Sequence, residues 1–160
     1  MPPRFHAAVA VYALLTRDGR VLLVRRAGSG FHDGELSLPA GHVEEGEDAV
    51  TALVREVHEE LRLVLDPAAC ELALTGHSGP EHAGDDTYVD LFFRVSSWSG
   101  EPVNAEPDHC QELVWVAADA LPDVVIPFVA DAVGAVTSAD GPRLLMWHWP
   151  TTGGRTTLRS

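Results

Sequence analysis

The amino-acid sequence predicts an α/β fold, a mixed β-sheet covered by helices on both faces. Two observations carry the prediction. Runs rich in β-branched and aromatic residues recur along the chain, at 6–16, 21–25, 71–77, 88–97, 112–116 and 144–149. Two stretches with helical apolar spacing, one ending near Leu61 and one over 126–136, interrupt those runs. A chain of 160 residues with no internal repeat and no linker then reads as one domain over 1–160, with enough length for a sizeable core.

Taken in order, HAAVAVYALLT (6–16) is the first strand, Arg17-Asp18-Gly19-Arg20 a turn, and VLLVR (21–25) the returning strand of a hairpin. Arg25 and Arg26 end that strand, and a guanidinium fork matches phosphate oxygens. AGSGFHDGE (27–35) is a Gly-rich loop suited to the lip of a cleft, with Phe31 as a ring able to stack on a base. LSLPAGH (36–42) leads to an acidic loop, 43–48, and then to the first helix. Asp66-Pro67 makes a turn, ELALTGH (71–77) a short strand, and SGPEHAGDDT (78–87) a polar loop. YVDLFFRVSS (88–97) is a strong strand, closed by a turn at 98–102. After the loop NAEPDHCQ (104–111) come the strand ELVWV (112–116), a helical turn at 117–121, and the second helix with Pro127 in its first turn. LLMWHW (144–149) is the last strand, and residues 151–160 are expected to fray.

Composition excludes several classes. At 46% hydrophobic and 22% charged residues the chain is globular. A net charge of −13 offers no basic stripe to displace counterions, which argues against a nucleic-acid partner. The same charge means that a polyanionic substrate needs a metal ion or a local cation to reverse the field. Cys70 and Cys110 form no paired metal-binding motif and read as thiols in a reducing compartment. No apolar run reaches the length of a membrane span and no cleavable leader is evident, so a cytoplasmic protein is expected.

The chemistry concentrates in residues 41–63. On a helix, Glu56, Glu59 and Glu60 fall within about 100° of arc, beside a separate stripe of Val50, Leu53, Val54, Val57 and Leu61. Three like charges on adjacent turns repel by a few tenths of a kcal/mol per pair. A hard divalent cation such as Mg²⁺, which takes oxygen ligands and substrate phosphates, offsets that repulsion.

This stretch resembles the Nudix box of the Nudix hydrolases. Gly41, Glu47, Arg55, Glu56, Val57, Glu59, Glu60 and Leu63 stand at the family's spacings. One position departs: Arg62 stands where the family has a Gly that lets the chain leave the helix with positive φ. The resemblance is tight over about 25 residues and looser elsewhere, and implies a Nudix-type α/β/α sandwich of the short, MutT-like kind.

The resemblance further implies hydrolysis of a diphosphate linkage in a small nucleotide-type substrate, with Mg²⁺ or Mn²⁺ as cofactor. Glu56, Glu59, Glu60 and the Gly41 carbonyl are the implied metal ligands, Glu56 being either a ligand or the base. Glu47 is expected to hold its loop to the helix through Arg55, and Arg55 to orient a carboxylate. Some relatives take the general base from a later loop; here Glu106, Asp108 and Glu112 qualify, and Glu112 is favoured. Arg25, Arg26 and Phe31 are the candidate substrate contacts. Relatives acting on oxidised purines often carry an acid or amide near the second helix. Ile126-Pro127-Phe128-Val129 offers none, which argues against that substrate. Alternatives are a nucleotide-binding regulator without activity and a hydrolase of nucleotide sugars or dinucleotides. Homodimers are common among relatives, which makes a homodimer an expectation from the resemblance alone.

Overall fold

The computed structural model describes Met1, residues 4–149 and the backbone of 156–158. Its centre is a hairpin whose strands part. Strand β1 (Ala8–Arg17) and strand β2 (Arg20–Arg26) pair only next to their turn, at Thr16↔Val21 and Arg17↔Arg20. Beyond that point they diverge, and the segment 36–42 fills the gap. Its first part, β3 (Leu36–Ser37), pairs antiparallel with β2; its second, β4 (Ala40–His42), pairs antiparallel with β1. Pro39 sits between them, where its carbonyl accepts from the Ala13 amide at 2.9 Å. A residue without an N–H suits a position between two ladders.

The sheet extends from both edges of the hairpin. β1 runs parallel to β7 (Tyr88–Val95) over its length, β7 pairs antiparallel with β6 (Cys70–Ser78), and β6 pairs parallel with β10 (Leu144–Trp147). On the other side β9 (Cys110–Ala117) pairs antiparallel with β2. A separate two-stranded ribbon joins β5 (Val64–Leu65) to β8 (Trp98–Ser99). Within the expected frayed tail, Thr156–Leu158 forms β11, antiparallel to β10; pairing to a sheet edge orders that backbone, and 151–155 lie outside the described residues. The strand expected last, at 144–149, ends at Trp147, and the strand expected at 112–116 extends to both sides.

Both faces of β1 are apolar because both are covered. Val11, Ala13 and Leu15 pack with Leu53, Val57 and Leu61 of helix α1 (Ala49–Leu61). Leu14 packs on the opposite face with Val129, Ala132 and Val133 of helix α2 (Pro127–Thr137). Each such aliphatic side chain removed from water contributes roughly 1.5–3 kcal/mol. This gives the α/β/α layering that the strand–helix order implies.

Helix α1 starts where Asp48 caps it, accepting from the Val50 and Thr51 amides at 2.9 and 3.0 Å. It ends at Arg62, which takes φ 58°, ψ 19° and donates its N–H to the His58 carbonyl at 3.0 Å. The left-handed exit normally supplied by Gly is thus made by an arginine, at a strain of order 1 kcal/mol or more.

Candidate active site: a carboxylate pocket joined to an aromatic cleft

Glu56 and Glu60 point from α1 across β4. The Ala40 amide donates to Glu60 Oε2 at 3.2 Å. Glu56 lies so close over Gly41 that a β-carbon there would overlap its Cγ, Cδ and Oε1. Glycine at 41 is therefore a steric requirement of the carboxylate.

Arg55 organises the surroundings. Its Nη2 and Nε donate to the two oxygens of Glu47 at 2.6 and 3.2 Å, and Nη2 also donates to the His42 carbonyl at 3.0 Å. Its Nη1 donates to Glu56 at 2.8 Å and to Glu59 at 3.3 Å. One guanidinium so ties the box loop to the helix. The hydrogen bonds from Arg55 and the Glu44 amide hold the Glu47 carboxyl below the usual range, and the same carboxylates raise the Arg55 pKa.

Glu56, Glu60 and the backbone of Gly41 line a pocket of about 330 Å³, together with Glu106, Arg26, His109 and Cys110. Desolvation, then the charge of Glu56, pushes Glu60 up to about 8. Glu56 is also raised, by burial first, with Glu59 and Glu106 adding to it against the pull of Arg55. Four acids, Glu44 included, line this cavity, two of them with elevated pKa values, as expected for groups awaiting a compensating charge. The carboxylates and the Gly41 carbonyl offer oxygen donors, which suit Mg²⁺ or Mn²⁺. Among the described residues no three His, Cys, Asp or Glu side chains already stand in ligating geometry. Glu59 is one reason: it does not line the pocket and its carboxylate is engaged by Arg55.

A second cleft, about 540 Å³, adjoins this pocket and shares Arg26, Ala40, Gly41 and His42 with it. Tyr12, Tyr88, Phe128 and Phe31 line it. Tyr12 stacks on Phe92 with centroids 4.5 Å apart and meets Phe128 edge-on at 6.0 Å. Two loops meet at its mouth: His32 contacts Glu35 through Nδ1, and its Nε2 lies 3.4 Å from Glu81.

Of the expected substrate contacts, Arg26 lines both cavities and Phe31 lines the aromatic cleft. Arg25 lines neither. Its Nε donates to Glu112 at 2.6 Å and its Nη1 to the Gly34 carbonyl at 2.7 Å. Arg25 and Glu112 face each other across the β2–β9 ladder as an ion pair, and neither lines the acid pocket, whereas Glu106 does. Sequence reasoning also passed over Asp90, which is 3% exposed and lines the aromatic cleft. Its signal was present: an acid at an inward position of the apolar strand YVDLFFRV.

The chain is 29% identical over 125 residues to an 8-oxo-dGTP diphosphatase of Escherichia coli, covering 76% of this chain and 92% of that protein. It is 42% identical over 96 residues to an ADP-ribose pyrophosphatase of Methanocaldococcus jannaschii, covering 60% of this chain and 54% of the relative. The crystal structure of a MutT NUDIX hydrolase from Burkholderia pseudomallei superposes with a TM-score of 0.75 at 31% identity, over 83% of this chain and all of that one. The profile of the NUDIX domain matches residues 4–149, and the chain belongs to the NUDIX family of hydrolases that act on phosphorus-containing anhydrides.

Proposed function

We propose that the protein is a divalent-metal-dependent pyrophosphohydrolase that cleaves a diphosphate linkage in a nucleoside di- or triphosphate or a related nucleoside diphosphate. The observation that carries the reading is the junction of the two cavities. An acid pocket suited to a cation opens, past Arg26 and Ala40–His42, into a cleft lined by rings. A nucleotide has that same division, anhydride at one end and heterocycle at the other.

Glu56, Glu60 and the Gly41 carbonyl are the groups that would hold Mg²⁺ or Mn²⁺; Glu59 joins them only by giving up Arg55. When bound, the ion neutralises phosphate charge and lowers the pKa of attacking water. Arg26 pairs with a phosphate oxygen at the junction. Arg55 keeps Glu56 oriented. Glu106, on the loop between β8 and β9 that lines the same pocket, accepts the proton from the attacking water. The ring side chains of the second cleft stack on the base and exclude water from it.

Relatives named for 8-oxo-dGTP and for ADP-ribose both fit this division, and they define the first substrate panel. The test is release of phosphate or pyrophosphate from nucleoside triphosphates, nucleoside diphosphate sugars and dinucleotides with Mg²⁺, Mn²⁺ or chelator. Glu56→Gln and Glu60→Gln are expected to lose at least about a hundredfold in kcat while keeping the wild-type circular dichroism spectrum. Wild-type turnover in both variants, or turnover unaffected by chelator, overturns the assignment.

A further inference from the structure

Asp90 is a carboxyl group placed where a strand should carry an apolar residue. It shares the inward face of β7 with Phe92, opposite Ala10 of β1 and Gly76 of β6. Burying a carboxyl costs several kcal/mol unless donors meet it. Ser78 Oγ donates at 2.6 Å, and the Tyr12 hydroxyl is close enough to favour the ionised carboxyl. These donors make the carboxyl an acceptor, and an ionised carboxylate has about four acceptor sites, so roughly two stay open. Asp90 lines the aromatic cleft, the side from which a ligand would reach it. The position also needs room behind it. A β-carbon at Gly76 would stand 3.0 Å from the Asp90 β-carbon and 2.6 Å from the Trp147 ring.

The rest of the cleft has the same bias. Glu81, Asp85 and Asp86 line its outer part, while Arg26 is the sole lysine or arginine among its described lining residues and sits at the phosphate junction. His42 lines the same cleft, and His77 stands on β6 one residue from Ser78. A ring that presents carbonyl oxygens toward Asp90 meets acceptors with acceptors. A ring with two adjacent N–H donors fits a carboxylate in the two-pronged way a guanidinium does.

We propose that Asp90 is a specificity-determining residue that selects substrates whose heterocycle carries a ring N–H beside an exocyclic amino group, held from behind by Ser78 and Tyr12. This rests on the reading of the aromatic cleft as the base-binding half of a nucleotide site.

The test compares GTP with ITP, which differ only in that amino group, by kcat/KM in the presence of Mg²⁺, in wild type and Asp90→Asn. The wild-type ratio is expected to favour GTP by at least about tenfold, and the Asn variant to bring it within about threefold of unity. Calorimetric binding of GDP and IDP to wild type gives the same discrimination without a variant and without turnover. Hydrolysis of both nucleotides at equal efficiency, with equal GDP and IDP affinity, overturns the role of Asp90 and leaves the hydrolase assignment standing. Failure to hydrolyse any nucleotide overturns the hydrolase assignment instead, and the GDP–IDP comparison still decides the role of Asp90.

Discussion

Gly41 and Glu56 occupy one space: the carboxyl of Glu56 fills the volume in which any other residue at position 41 would place its β-carbon. The obstructing atoms are the far end of a flexible side chain, so the conflict is resolved by moving the carboxylate rather than the backbone. Gly41→Ala is therefore expected to fold with a melting temperature within a few degrees of wild type. A displacement of about 1 Å at a reacting group costs on the order of a hundredfold in rate. Steady-state kinetics beside a thermal melt checks this; normal turnover in Gly41→Ala would mean that Glu56 acts from a different position.

Glu60 makes stability depend on pH. Its folded pKa of about 8 lies above the ordinary 4.5, so between those values the folded chain holds a proton that the unfolded chain has released. Stability from this group is complete below about pH 4.5 and is lost as pH rises towards 8. In chelator, Glu60→Gln removes that loss. Its melting temperature should exceed that of wild type by a margin that grows from pH 5 to pH 8. Binding of Mg²⁺ requires the ionised group, so the thermal shift given by a fixed Mg²⁺ concentration should be larger at pH 8.5 than at pH 6.5. A shift independent of pH removes Glu60 from the ligand set.

Glu106 and Glu112 are separated by their surroundings. Glu106 raises the pKa values of Glu56 and Glu60 across their shared pocket, whereas Glu112 is held by Arg25 on the β2–β9 ladder. Glu106→Gln should lower kcat by about two to four orders of magnitude, the usual range for losing a general base. Glu112→Gln should stay within a few-fold of wild type. The reverse ranking in a kcat measurement returns the base to β9.

Arg62 offers a gain in stability. Its left-handed conformation is strained for a side-chain-bearing residue and free for glycine, and Arg62 is exposed. Arg62→Gly is expected to stabilise the fold by about 1 kcal/mol, or a rise of roughly 2–4 °C in Tm. An unchanged or lower Tm in a calorimetric scan would show that other contacts of Arg62 offset the strain.

Much of this molecule could be read from residue order alone. The α1 stripe of Leu53, Val57 and Leu61 foretold the buried face, and the box spacing placed Glu47, Arg55, Glu56 and Glu60 around one loop. Local pattern fails where partners come from distant segments. Three glutamates on adjacent turns look equivalent in sequence. Tertiary packing desolvates Glu60 while leaving Glu59 to Arg55. Arg25 and Arg26 look alike too, yet strand alternation turns Arg25 to Glu112 and Arg26 into both cavities. Asp90 was hidden for a related reason: its meaning depends on Ser78 and Tyr12, which reach it from two other strands.

The parting of β1 from β2, bridged by residues 36–42, sets more than a shape. That short stretch is stitched on one side to β2 and on the other to β1, so the span from the acids of α1 to the rings near α2 is fixed by a few peptide units. The protein in effect carries a ruler. Molecules whose spacer between anhydride and heterocycle matches it can seat both ends together, while longer or shorter ones engage a single end and forfeit the advantage of a two-point grip.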